Sequence, residues 1–279
     1  MKRAALILAS SLLALAAADL AVRIVTRVPE HERAFRYDTR LGWAPREDFV
    51  GIVAGAPAAI TADGLRASGH QTGRPILAVG DSYTFGAEVA DAETWPAYLA
   101  QLTGRRVLNG GVNGYGADQA ILRAETLTRR YQPDTIVLGL IQPDIRRSLY
   151  SRHGRAKPYV VTRRGATLLC GVPVPHDATG ILGLIEDHHD VMVATTRWRP
   201  ELERMLGRFR SLAPRTLLVL YGHDNRSLEF RDVRLAAISL GLGMLDLSDR
   251  LGPEFYRRQH FNPAGNLFVS NEIAKVLQQ

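Results

Sequence analysis

Hydrophobic residues from position 74 onward follow two alternating periodicities. Mainly apolar runs of strand length occupy 75–79, 106–109 and 135–141. Between them, about 94–102 and 117–131, apolar residues recur at three- and four-residue spacing, with Trp95, Leu99 and Leu102 on one helical face. A strand apolar at consecutive positions is buried on both faces, the signature of a parallel sheet sandwiched between helices. Two more such runs, 216–221 and 243–247, each follow a helical segment. A last helix, about 263–277, opens with Pro263, a residue well suited to a first helical turn. The pattern predicts an α/β fold with a central parallel sheet of about five strands.

Two stretches break the alternation. Residues 28–73 are irregular and rich in Gly, Pro and charge, with turns and short edge strands expected at 38–45 and 61–66. This segment reads as a lead-in that packs on the main domain and carries no catalytic constellation. Between about 150 and 199 the alternation stops again. Tyr159–Thr162 and Ala166–Leu169, around Arg163-Arg164-Gly165, predict a β-hairpin; Pro173 and Pro175 then lead to a helical stretch containing Asp187-His188-His189-Asp190. An insertion after the third strand is expected above the carboxyl edge of the sheet, as a pocket wall or a lid. The organisation is therefore 1–27, 28–73 and a main domain 74–279 with an insertion at about 150–199.

The first segment is a membrane or signal helix. Lys2 and Arg3 precede an apolar run from Ala4 to Val22, broken only by Ser10, Ser11 and Asp19. At ~1.5 Å per residue this run just spans a bilayer core. Ala14-Leu15-Ala16 and Ala16-Ala17-Ala18 also resemble signal-peptidase sites, so both a signal anchor and a cleaved signal peptide fit. Either implies an exported protein: anchored to the inner membrane and facing the periplasm, or secreted if cleaved.

Charge and cysteine content narrow the partners. The net charge of +7 comes from arginines spread along the chain, without a basic block interleaved with aromatics. Nucleic-acid binding is not expected, whereas contact with anionic envelope surfaces is compatible with it. Cys170 is the single cysteine, so neither an intramolecular disulfide nor a Cys-based metal site can form. His188 and His189 are adjacent and do not face each other on a helix, and His223-Asp224 is no stronger as a metal pair. Phosphate-loop and dinucleotide fingerprints are missing, so no cofactor and no metal is expected.

The chemistry concentrates in two places. Ile76-Leu77-Ala78-Val79-Gly80-Asp81-Ser82 sets a hydroxyl just beyond a buried strand, where open α/β sheets place their ligands. His260-Phe261-Asn262-Pro263-Ala264-Gly265 leads into the final helix. A strand-end Ser and a late loop His supply what nucleophilic acyl transfer requires, since a Ser hydroxyl needs a base to take its proton.

Gly80-Asp81-Ser82, the glycine-rich Asn109-Gly110-Gly111-Val112-Asn113-Gly114-Tyr115-Gly116, and His260-Phe261-Asn262-Pro263-Ala264-Gly265 resemble, in order and spacing, blocks of the SGNH (GDSL-type) hydrolases. The resemblance covers roughly 74–279. It implies a flavodoxin-like three-layer sandwich and hydrolysis or transfer of O-acyl esters on glycans, lipids or small alcohols. Ser82 would be the nucleophile, His260 the general base, and the N–H groups of Gly114 and Ser82 the oxyanion hole. The chain departs from the family pattern twice. The Asn that donates a third oxyanion hydrogen bond is replaced by Pro143, leaving Gln142 as the candidate substitute. The Asp three residues before the His is replaced by Arg257, leaving a backbone carbonyl, Asp249, Glu254 or, best placed at a strand end, Asp246 to orient the imidazole. The leading expectation is a serine esterase of the cell envelope. The alternatives are a polysaccharide O-acyltransferase and a catalytically impaired protein that binds envelope glycans or proteins.

Overall fold

The computed structural model describes residues 2–25, 33–69, 72–163, 166–177, 181–182, 199–222 and 226–278. Asp187-His188-His189-Asp190, His223-Asp224 and the Arg164-Gly165 turn lie outside the described residues. The central sheet contains β5 (Ile76–Val79), β6 (Val107–Asn109), β7 (Thr135–Leu140), β12 (Arg215–Leu220) and β13 (Gly243–Asp246), close to the predicted spans. Its order is β13-β12-β7-β5-β6 with every neighbouring pair parallel. Counted along the chain this is the order 2-1-3-4-5 of flavodoxin-like sheets, whose switch point falls between β5 and β7.

The pleat divides each strand between two cores. Ile76, Ala78, Val137, Leu217 and Val219 pack with α3 (Trp95–Thr103) and α8 (Pro263–Leu277). Leu77, Val79, Ile136, Leu138, Leu218 and Leu220 pack on the other face with α4 (Ala117–Tyr131), α6 (Arg199–Arg210) and α7 (Leu228–Leu240). Both faces are buried, and apart from Thr135 and the Arg215-Thr216 start of β12 the inner strands β5, β7 and β12 carry only apolar residues or glycine. Local chemistry sets the helix ends. Thr94 caps α3 by accepting from Ala97 N at 3.3 Å, and Gly104 ends it in the left-handed region at φ +64°.

The lead-in forms two antiparallel hairpins, β1 (Phe35–Asp38) with β2 (Gly42–Pro45) and β3 (Val50–Val53) with β4 (Ala56–Ala59). Phe35, Trp43, Val53 and Ile60 share a third apolar cluster with Phe85, Val112, Tyr115 and Leu122. Arg66 pairs by a single bridge with Asn109 at the end of β6, and its guanidinium is buried, 2% exposed. Nε meets Asp91 Oδ1 at 2.8 Å, Nη1 donates to the carbonyls of Phe85 (2.9 Å) and Gly86, and Nη2 donates to those of Pro57 (3.2 Å) and Val89 (2.7 Å). Burial depresses the Arg66 pKa from its ordinary value, while Asp91 opposes the shift.

The insertion differs from the sequence expectation. The hairpin β10 (Tyr159–Arg163) with β11 (Ala166–Cys170) packs beside α4 and α6, not above the site. Val160 joins the core under those helices, and Glu201 on α6 accepts from Thr162 N at 2.9 Å. A half-apolar hairpin finds its dry surface there. Among the described residues, the part of the insertion that approaches the strand ends is β8 (Arg152–His153) with β9 (Arg155–Ala156), where Arg155 lies 6.0 Å over the Trp43 ring. At the N-terminus, α1 (Lys2–Val25) is strongly apolar over 2–22, with a mean hydropathy of 2.2 and none of it buried. Among the described residues it is the one helix long and apolar enough to cross a membrane.

Arg66→Lys replaces a planar fork by a single ammonium and strands buried carbonyls. It is expected to destabilise the protein by about 3 kcal/mol or more. Urea unfolding at unchanged m-value reads the loss, and an unshifted midpoint contradicts it.

Candidate active site

The site grows from the end of β5. Gly80 has φ +154°, and a Cβ there would meet Thr84 Oγ1 at 2.3 Å and Gly139 O at 2.5 Å, so the turn tolerates only glycine. Asp81 then caps the short helix α2 (Ser82–Phe85), accepting from Tyr83 N at 2.9 Å, and leaves Ser82 as its first residue. Gly86 closes α2 in the left-handed region at φ +83°. The geometry lifts the Ser82 side chain out of the sheet at the topological switch point.

His260 arrives from β15 (His260–Phe261), which pairs antiparallel with β14 (Tyr256–Arg257). Its Nε2 is 2.9 Å from Ser82 Oγ. The ring rests 5.2 Å from that of Tyr83, whose hydroxyl donates to Gln259 O. The residues immediately after His260 hold it in place. Asn262 caps α8 by accepting from Gly265 N at 2.9 Å, Pro263 fills the first turn, and Asn266 accepts from Trp95 N at 2.9 Å, tying α8 to α3. A Cβ on Gly265 would lie 2.3 Å from Phe255 O. The motif after the histidine is thus a device for seating a helix.

The carboxylate at the imidazole belongs to Glu88, whose Oε1 is 3.1 Å from His260 Nδ1. Sequence reading did not single this residue out. Asp246, the favoured candidate, is engaged elsewhere: Oδ2 accepts from Arg234 Nε at 2.6 Å and Oδ1 from Ser248 Oγ at 2.6 Å. Burial would raise the Asp246 pKa, but these hydrogen bonds outweigh it and hold the carboxyl below its usual range. Asp249, Glu254 and Arg257 are exposed. Glu88 sits at φ +70°, a left-handed conformation that costs a non-glycine residue about 1–3 kcal/mol and persists only where its surroundings impose it. Arg66 supplies that imposition, holding the carbonyls of Gly86 and Val89 on either side.

Gly114 lies at φ +77°, with Trp43 Cζ2 3.5 Å from where its Cβ would be. Trp43 Nε1 donates to Asn113 O at 3.0 Å and fixes this turn. Among the described residues, the N–H groups of Ser82 and Gly114 donate to no protein acceptor. Gln142 opens α5 (Gln142–Arg147). Pro143 beside it is exposed.

Beneath Ser82 lies a buried acid pair. Asp81 Oδ2 is 3.3 Å from Ser82 Oγ. Asp144 accepts from Ile141 N at 2.9 Å and from Arg147 Nη1 at 2.7 Å, and Arg147 Nη1 is 3.5 Å from Asp81 Oδ2. Burial raises both carboxyl pKa values. Asp144 is raised further by the charge of Asp81, and Arg147 opposes the rise at both. Among the described residues, no group of three or more His, Cys, Asp or Glu is placed to hold a metal ion.

A carboxyl pKa raised on folding means that the native state retains a proton the unfolded chain has lost. Stability from this source is full below the unfolded value of ~3.9 and declines as pH rises toward the folded value. Asp144→Asn removes the titration, so its unfolding free energy is expected to fall less steeply than wild type from about pH 4 to neutrality. Urea titrations across that range check this, and parallel pH dependences contradict it.

Neither a family model nor a curated protein sequence matches the chain. Solved structures similar to it include a putative lipolytic protein of the G-D-S-L family from Desulfitobacterium hafniense, 15% identical with TM-score 0.47, covering 73% of this chain and 99% of that one. A lipase/acylhydrolase from Enterococcus faecalis is 12% identical with TM-score 0.48, over 74% of this chain and 95% of that one. A catalytic mutant of an acetylxylan esterase from Geobacillus stearothermophilus is 16% identical with TM-score 0.45, over 74% and 94%.

Proposed function

We propose that the protein is an exported serine-dependent acyl-ester hydrolase of the SGNH type, with Ser82 as nucleophile and His260 as base. The observation that carries this reading is the 2.9 Å contact between Ser82 Oγ and His260 Nε2. The two residues lie 178 positions apart and meet at the sheet's switch point. A capping serine needs no imidazole, and a structural histidine needs no hydroxyl at the start of a helix.

In the reaction, Ser82 Oγ attacks the ester carbonyl carbon as its proton passes to His260 Nε2. The carbonyl oxygen becomes an oxyanion, received by the N–H groups of Ser82 and Gly114, each such donor being worth ~3 kcal/mol in the transition state. The intermediate collapses, His260 returns its proton to the departing alkoxide, and an acyl-serine remains. Water, deprotonated by the same imidazole, releases the carboxylic acid and regenerates Ser82. The substrate proposed is an O-acyl ester of an envelope glycan or lipid, and α1 serves as signal or anchor that brings the site to the outer face of the membrane.

The test uses the full chain in detergent with a short-chain p-nitrophenyl ester and a fluorophosphonate. Wild type is expected to turn over the ester and to label at Ser82. Ser82→Ala is expected to lose about 10³-fold or more in kcat, with far-UV circular dichroism unchanged. Folded wild-type protein that neither turns over nor labels overturns the reading in favour of a binding protein. Acyl transfer to an added oligosaccharide in preference to water reassigns the same site to a transferase.

A further inference from the structure

We infer that Glu88 is the residue that positions and charges the His260 imidazole, so that the acid comes from the nucleophile's own loop and not from the histidine's segment. This rests on the serine-hydrolase reading above and adds a residue to it. Three independent observations carry it: a contact, an unsatisfied atom and a strained backbone.

The contact fixes a tautomer. With Glu88 Oε1 3.1 Å from Nδ1, the ring proton belongs on Nδ1, where a carboxylate accepts it. Nε2 then presents its lone pair to Ser82 Oγ, the form a general base must have. The opposite tautomer would point a lone pair at a carboxylate and a proton at the hydroxyl that has to lose one.

The unsatisfied atom shows what the carboxylate lacks at rest. The Glu88 side chain is only 10% exposed, its Oε2 is buried without a hydrogen-bond partner, and among the described residues the imidazole is its one bonded partner. A buried carboxylate with a single neutral partner is poorly compensated. It gains an ion pair only when His260 takes the Ser82 proton, and that happens as the tetrahedral intermediate forms. The interaction is therefore stronger in the transition state than in the ground state, which is the condition for it to raise kcat and leave KM alone.

The strained backbone shows that the position is imposed. Glu88 occupies the left-handed region at φ +70°, between carbonyls gripped by the buried Arg66. An extended conformation at this residue would carry the side chain away from the imidazole. Arg257, at the position where the resemblance leads one to expect the acid, pairs with His260 through the β14–β15 ladder and is exposed.

The experiment compares wild type with Glu88→Gln, in the full chain in detergent. It follows the rate of Ser82 labelling by a fluorophosphonate, kcat and KM on a p-nitrophenyl ester, and the far-downfield proton NMR resonance of an imidazole N–H bonded to a carboxylate. Labelling and kcat are expected to fall together by about 10²- to 10⁴-fold, with KM within about threefold. The downfield resonance, present in wild type, is expected to disappear in the variant. Undiminished labelling in Glu88→Gln overturns the proposal and leaves the hydrolase reading standing. So does a wild-type spectrum without the resonance, a measurement that does not depend on the variant folding. A rate loss in a variant that keeps the resonance also overturns it, since a merely structural role has that outcome. Folded wild-type protein whose Ser82 fails to label overturns the hydrolase reading itself, and this proposal with it.

Discussion

The guanidinium of Arg66 is the constraint on which the site's geometry depends. Burying a cation is costly unless its donors are matched, and here Asp91 neutralises the charge while four backbone carbonyls take the remaining N–H groups. Three of those carbonyls, on Phe85, Gly86 and Val89, belong to the end of α2 and the loop that follows it. The fourth, on Pro57, belongs to the lead-in hairpin. The Phe85 ring lies 4.6 Å beneath the same cation. One side chain therefore joins an irregular segment outside the α/β core to the loop that turns Glu88 toward His260. A lysine could supply the charge but not the fork, which is why the identity of the residue matters more than its sign.

Much of the fold is legible in the sequence, because it rests on burial alone. Both faces of the sheet are buried, so the strands announce themselves as mainly apolar runs, and α3 and α4 appear through the spacing of residues such as Trp95, Leu99, Ile121 and Leu127. The lead-in and the insertion are less legible. Their elements are short and paired two by two, so their placement depends on which apolar surface happens to be open. The β10–β11 hairpin lies on the flank of α4 and α6, where Val160 is buried, a choice no local pattern encodes.

The candidate site divides the same way. Ser82 and His260 stand out because each sits in a patterned context, a strand end and a helix start. Glu88 has no such context. It lies in the connection between α2 and α3, and its orientation depends on a backbone conformation that sequence does not announce for a glutamate. The one signal available was that it is the first carboxylate after Ser82. Asp246 illustrates the converse error. Ending a strand on the correct edge places a residue near the site but does not choose its partner, and Arg234, on the preceding helix α7, claims it first. In a chain with this many arginines and carboxylates, polar side chains near an edge are taken by the nearest complementary group.

Moving the acid from the histidine's segment to the nucleophile's loop changes which parts of the chain must be rigid. With an acid three residues before the histidine, the last hairpin would carry two of three reacting side chains, and its own geometry would decide their alignment. With Glu88, that hairpin need only deliver His260, a task shared by the Tyr83 ring, the Asn262 cap and the seat of α8 on α3. The burden passes to the loop after β5, which must hold a hydroxyl and a carboxylate six residues apart on either side of one imidazole. That loop is where the structure concentrates its constraints: Gly80 in contact with Gly139, the buried pair of Asp81 and Asp144 bridged by Arg147, Gly86 in the left-handed region, and Arg66 across its far end. A short helix of four residues has little stability of its own. Its rigidity comes from polar groups buried around it, so the lead-in that looks peripheral in sequence is part of what aligns the site.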